Sequence, residues 1–129
     1  MAGYTKELLV APDDLDDLNH VNNVRYVQWI QDISKEHWQA KASEQIQEEF
    51  IWVVLTHYIE YKSAAVLNDP ISLKTYIASS SGVKSTRIVE MVHSETNTLL
   101  VRSSTEWCLL QRNSLRPTRI SEEIKAIFH

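Results

Sequence analysis

The stretch Asp13-Asp14-Leu15-Asp16-Asp17-Leu18-Asn19-His20-Val21-Asn22-Asn23-Val24-Arg25-Tyr26 marks where loop gives way to helix in this chain. Pro12 to Asn19 is rich in Asp and Asn and reads as a loop. From Asn23 to Ala42 the pattern turns helical: Tyr26, Ile30, Ile33 and His37 recur at i, i+4, i+7 and i+11, with Val27 and Trp38 beside that stripe. Asn22 or Asn23 suits the N-cap, because its side-chain oxygen can accept a free first-turn N–H. Val21, just before them, is a staple residue that can pack onto the first turn. The aspartates therefore stand immediately ahead of a helix N-terminus, where unpaired N–H groups carry partial positive charge and can hold an oxyanion. A carboxylate beside such donors suits the hydrolysis of an acyl compound. The carbonyl oxygen rests on the N–H groups while the carboxylate activates water or attacks directly.

On either side of this stretch the chain reads as strands. Thr5 to Val10 is a short first strand, and Ser43 to Glu49 is charged and helix-compatible. Phe50 to Tyr61 is rich in β-branched and aromatic residues. Asn68-Asp69-Pro70 makes a turn, after which Ile71, Leu73, Thr75 and Ile77 alternate onto one face. Ser79 to Gly82 is a second turn, Val83 to His93 a third long strand, and Glu95 to Asn97 closes a hairpin into Thr98 to Gln111. On that last strand Leu99, Val101, Trp107 and Leu109 fall on one side. Pro117 ends the sheet region, and Ser121 caps a short terminal helix, Glu122 to Phe128. Tight hairpins imply an antiparallel sheet with one covered face, and the single long apolar helix is its cover. The fold class is α+β, in one domain spanning 1–129.

Composition narrows the function. With 129 residues, 43% apolar and 23% charged, the chain suits one soluble globular domain that needs no disulfide or metal staple. A net charge of -4 does not favour a nucleic-acid binder, and any anionic ligand must find local positive charge. Cys108 is the one cysteine, and neither a secretory signal nor a membrane span is apparent, so a cytoplasmic setting is expected. With only Gly3 and Gly82, the glycine pairs of a P-loop, a dinucleotide fingerprint or a G-x-S-x-G elbow are missing. Scattered histidines and a lone cysteine give no metal-ligand pattern.

The run Asp14-Leu15-Asp16, His20-Val21-Asn22-Asn23 and Tyr26 resembles the D-x-D-x-x-x-H-V-N-N-x-x-Y signature of hotdog-fold thioesterases, both the 4-hydroxybenzoyl-CoA type and the plant acyl-carrier-protein type. Tyr58-Ile59-Glu60-Tyr61, Asn68-Asp69-Pro70-Ile71, the strand pair from Ser85 to Trp107, and Arg116-Pro117-Thr118-Arg119-Ile120 extend the similarity over nearly the whole chain. The resemblance implies a curved antiparallel sheet wrapped around one long central helix, paired through its sheets as a homodimer or homotetramer with the active site at the subunit boundary. It implies hydrolysis of an acyl-CoA or acyl-carrier-protein thioester, with no metal or redox cofactor beyond the coenzyme A or phosphopantetheine of the substrate. Asp16 takes the place of the catalytic aspartate, as general base or as nucleophile through an anhydride. The N–H near Asn23 would polarise the carbonyl, His20 would support the site, and Asn22 would hold the loop-to-helix turn. Tyr26, Trp29, Lys84 and Arg87 complete the substrate-binding set, the last two as partners for coenzyme A phosphates.

Two departures stand out. Some acyl-carrier-protein thioesterases carry Asn where this chain has Leu18, and a Glu aligning approximately with Ala64. A variant with its Glu on the central helix would need Asp32 or Glu36. Each residue also has a plainer reading. Four aspartates in five positions make a solvated loop, and the helical stripe is core. His20 alone is more often structural than catalytic. Trp29 and Trp38 pack by default, Cys108 is a buried inert thiol, and Lys84 and Arg87 are surface charge. A calcium loop is excluded by Leu18 and Asn19, where an acidic or amide ligand and a glycine are required. Two rival functions are a hotdog hydratase or dehydratase, whose D-x-N-P-x-H motif Asp17-Leu18-Asn19 begins without completing, and a non-catalytic acyl-binding module.

Overall fold

A computed structural model describes residues 3–128. The strands are β1 (Tyr4–Leu9), β2 (Phe50–Tyr61), β3 (Pro70–Ser81), β4 (Lys84–His93) and β5 (Leu99–Gln111). The helices are α1 (Asn23–Lys41), α2 (Glu44–Glu49) and α3 (Glu122–Ile127), with a 3-10 turn at Pro12–Asp14. All strand pairs are antiparallel, in the five-stranded order β1-β3-β4-β5-β2. The α+β reading holds, and the long helix covers the sheet.

The stripe read from the sequence is the face that α1 buries: Tyr26, Ile30, Ile33 and His37, joined by Trp29, Ser34 and Trp38. Ile30 and Ile33 are wholly buried, which stabilises the fold by roughly 2 kcal/mol each. Asn22 is the N-cap, its side chain accepting the N–H of Val24, and Val21 packs in one cluster with Tyr26. Ser43 and Ser121 cap α2 and α3 in the same way.

Two local details differ from the sequence reading. The β3–β4 turn falls at Gly82-Val83, with β3 running on to Ser81. Gly82 adopts φ 63 there, the left-handed conformation that a two-residue hairpin needs and that glycine takes without steric cost. On β5 the pairing shifts between Met91 and Val92. That irregularity buries Leu100 and leaves Leu99 only half-buried, whereas Val101 and Leu109 face inward as expected.

The core has two apolar parts. One gathers Tyr26, Trp29, Ile30, Leu73, Met91 and Val101 around the first half of α1. The other gathers Trp38, Leu109, Ile120, Ile124 and Phe128 around its second half. Between them lies a buried polar layer. Arg87 Nη1 donates to His37 Nδ1 at 2.9 Å and to Thr75 Oγ1 at 3.0 Å. Since a guanidinium can only donate, His37 must accept through Nδ1 and carry its proton on Nε2. Its ring stacks on Tyr4.

Burial, with the Arg87 and Lys41 charges adding to it, holds the His37 imidazole down to about 4. The unfolded chain therefore binds a proton that the folded chain refuses between about pH 6.5 and pH 4. Stability from this group is complete above that window and falls as the pH drops through it. We expect His37 to remove about 2 kcal/mol of stability between pH 7 and pH 5. Urea midpoints at the two pH values should show that much more loss in the wild type than in His37→Gln, whose amide keeps an acceptor for Arg87. Equal losses in both proteins would rule the account out.

Candidate active site

The loop ahead of α1 is fixed from several sides. The Asp14 carboxylate pairs with Arg25 Nε at 3.1 Å and accepts the Ala11 N–H at 2.8 Å. Arg25 Nη2 donates to the Asp13 carbonyl, and the Asn22 N–H to the Asp14 carbonyl at 2.8 Å. Val21 donates its N–H to Ala65 beyond the end of β2, at 2.9 Å. This lacing sets the entry angle of the chain into α1. It also separates the aspartates: Asp14 is held in an ion pair, and Asp13 and Asp17 are exposed.

Asp16 is different. Its N–H donates to the His20 carbonyl at 2.8 Å, and its Oδ1 accepts the N–H groups of Leu18 and His20 at 2.9 and 3.2 Å. The turn is closed by Asn19 at φ 61, in the left-handed region that Asn tolerates better than most residues. Two amide donors fix the carboxylate plane, and Oδ2 has no hydrogen-bond partner among the described residues. Asp16 lines a cavity of about 220 Å³ with His20, Asn23, Tyr26, Tyr61 and Ser63.

The first turn of α1 supplies the donor side. The Val24 N–H is taken by the Asn22 side chain, and those of Arg25 and Tyr26 by the Asn22 carbonyl. The Asn23 N–H is thus the first-turn amide left without a partner among the described residues. Deeper in the wall, the Tyr26 phenol oxygen accepts the Ala65 N–H at 3.3 Å. Burial pushes this phenol above its ordinary value, the Ala65 bond works against the shift, and the nearby Asp69, Tyr61 and Asp16 reinforce it. Tyr26 therefore keeps its proton and can donate it.

The expected residues do not all converge. Asp16, His20, Asn23 and Tyr26 share the cavity. Asn22 borders it in sequence, but its side chain is committed to capping. Trp29 is core, edge-on to Tyr26 at 5.6 Å between ring centroids. Lys84 and Arg87 lie elsewhere in the chain. Tyr61 pairs with Val101 and Val101 with Met91, which places the cavity beside the far end of β4 from Lys84. At about 3.3 Å per residue, Lys84 is roughly 23 Å and Arg87 roughly 13 Å from Met91. Arg87 is not at the surface: it is buried on His37 and Thr75. Asp32 and Glu36 on α1 are engaged with Gln28 and Lys6 and lie outside the cavity lining. The residues missed from sequence are Tyr61, Lys62 and Ser63, at and just beyond the end of β2, a segment tied to the loop by the His20–Val66 bridge and the Val21–Ala65 hydrogen bond. Among the described residues no group of three or more His, Cys, Asp or Glu side chains is placed to hold a metal ion. Nor is any described helix long and apolar enough to cross a membrane.

Known structures share this architecture. A mutant of 4-hydroxybenzoyl CoA thioesterase complexed with 4-hydroxybenzoyl CoA superposes with a TM-score of 0.89 at 10% identity, covering 100% of both chains. A 1,4-dihydroxy-2-naphthoyl-CoA thioesterase from Synechocystis gives 0.83 at 16% identity, covering 98% of this chain and 95% of the other. The 12:0-ACP thioesterase from Umbellularia californica also gives 0.83, at 13% identity, over 97% of this chain and 49% of the other. These likenesses establish the hotdog fold. No curated protein sequence matches the chain. The family model for the acyl-ACP thioesterase N-terminal domain matches residues 2–128, so the chain belongs to the acyl-ACP thioesterase family of thioester hydrolases.

Proposed function

We propose that the cavity at the start of α1 is the centre for thioester hydrolysis, with Asp16 as general base and the Asn23 N–H as oxyanion donor. The observation that carries this reading is the pairing of an open carboxylate oxygen, Asp16 Oδ2, with an unpartnered helix N-terminal amide on one cavity. Asp16 Oδ2 takes a proton from water as the water oxygen attacks the thioester carbonyl carbon. The developing oxyanion is stabilised by the Asn23 N–H and the helix dipole, with the Tyr26 phenol as a further donor. Collapse breaks the C–S bond, leaving the free acid and a thiolate that accepts the proton. His20 and Asn22 shape the turn that presents Asp16. The alternative, attack by Asp16 itself to form an anhydride, differs in where isotope from labelled water first appears. In a single turnover in labelled water, label in Asp16 overturns the water path, and label confined to the released acid with no acyl-enzyme trapped by hydroxylamine supports it.

The substrate on this reading is an acyl-CoA or acyl-carrier-protein thioester, as the names of the structural neighbours suggest, and the setting is cytoplasmic. A homodimer is the working unit. β2 is an edge strand of 12 residues whose outer side is unpaired and which exposes Leu55, Tyr58 and Tyr61. An edge that long invites pairing with another strand, and a second copy can meet it symmetrically. Sedimentation velocity at micromolar concentration should show at least twice the chain mass; a monomer there removes the dimer from the proposal.

Asp16→Asn should lower kcat by about a hundredfold or more with little change in thermal midpoint. Asn23→Pro is the sharper test of the donor. Proline is tolerated at the first helical position, where its missing N–H breaks no intrahelical bond, and Asn22 has the extended backbone that must precede it (φ -64, ψ 136). We expect kcat to fall by about a hundredfold in a protein as stable as the wild type, while Asn23→Ala, which keeps the amide, stays active. Comparable activity in the Pro and Ala variants would eliminate the amide as the oxyanion donor. Thiol release from a panel of acyl-CoA thioesters is the readout, and its absence across the panel would favour a non-catalytic acyl-binding role.

A further inference from the structure

A second cavity, of about 320 Å³, lies under the C-terminal half of α1, walled by Trp38, Phe50, Trp52, Trp107 and Phe128. It is distinct from the Asp16 cavity in this protomer: Asn23 and Trp38 are about 22 Å apart along the helix. The chain carries a net charge of -4, yet the charged residues lining this cavity are Lys35, Arg87 and Arg112, with no carboxylate among them. Arg87 is 4% exposed. Its Nη1 is used by His37 and Thr75, while Nε and Nη2 have no hydrogen-bond partner among the described residues. No carboxylate of those residues lies within ion-pairing distance. Burial pushes the guanidinium down only to about 10, so it stays charged at neutral pH. In the same wall the indole N–H groups of Trp52 and Trp107 are buried without an acceptor among the described residues.

A buried cation without a counter-ion among the described residues is costly; here the guanidinium carbon lies 5.2 Å over the Phe128 ring, and both side chains line the cavity. We propose that this cavity binds a small hydrophobic carboxylate, its flat apolar body among the aromatic rings and its carboxylate on the Arg87 guanidinium. The fork of Arg87 suits a carboxylate in two-point contact. Aromatic walls with a few convergent polar groups are what small-molecule sites present. A phosphate would surrender more hydration to enter an aromatic chamber than a singly charged carboxylate does. Such a carboxylate reaches the cavity either as a free acid or as the far end of an acyl group.

Titration with phenylacetate and with its neutral isostere phenylacetamide, followed by tryptophan fluorescence and calorimetry, tests the proposal. The acid should bind about tenfold or more tightly than the amide, the worth of one charged hydrogen-bonded contact. Arg87→Gln should abolish that preference. Because Arg87 also holds His37 and Thr75, the exposed Lys35→Glu provides a second test: it should weaken phenylacetate and leave phenylacetamide unchanged. Asp16→Asn should bind both ligands as the wild type does, which keeps this result separate from the fate of the hydrolytic reading. Competition by phenylacetate against a thioester whose acyl group ends in a carboxylate, and not against its uncharged counterpart, assigns the carboxylate to an acyl group's far end, and undisturbed hydrolysis of both at saturating phenylacetate assigns it to a free acid. Equal affinity for acid and amide in the wild type overturns the proposal, since the guanidinium would then already be neutralised. Displacement of phenylacetate by coenzyme A alone also overturns it, in favour of phosphate recognition.

Discussion

The joint between the loop at 10–22 and the first turn of α1 is the constraint on which the site depends. Asn22 takes part in most of it, donating to Asp14, accepting from Arg25 and Tyr26 through its carbonyl, and capping Val24 through its side chain. Val21 adds a tie to Ala65, and Arg25 closes back on Asp14. Each bond is worth on the order of 1 kcal/mol, but together they leave the chain a single route into the helix. That route leaves the Asn23 amide without a partner among the described residues and sets Asn23 and Asp16 in the lining of one cavity. The capping that stabilises the helix and the geometry of the proposed site are one set of contacts.

Much of this was legible in the residues themselves. The i, i+4, i+7, i+11 stripe became the buried face of α1, the Asn-Asn pair supplied its cap, and the alternation Ile71-Leu73-Thr75 faced inward. Local periodicity reports burial well because it reports geometry within one element. The wall formed by Tyr61, Lys62 and Ser63 was not legible, since nothing near those residues encodes which strand will pair with β2 or in what register. Leu100 was missed for a related reason: a shift in pairing breaks the period of two that inference relies on. The role proposed for Asp16, by contrast, rests on resemblance to a family, and the fold alone would not supply it.

Arg87 is the instructive case: its charge suggests a partner for coenzyme A phosphates or an ordinary surface cation, and the structure buries it. It stands in phase with Val89 and Met91 on β4, both fully buried, and a period of two carries it to the inner face. Pattern should have outweighed residue type. Its inward position creates the His37–Arg87–Thr75 layer, where each hydrogen bond fixes a rotamer that apolar packing alone would leave freer.

That layer partitions the interior into two compartments at opposite ends of one helix. Substitutions more than about 10 Å apart with no shared partner act nearly independently. Drift in the aromatic compartment can therefore remodel what the protein grips without retuning the turn around Asp16. A lineage built on this plan is free to reshape one pole while the turn proposed for hydrolysis, at the other, stays as it was.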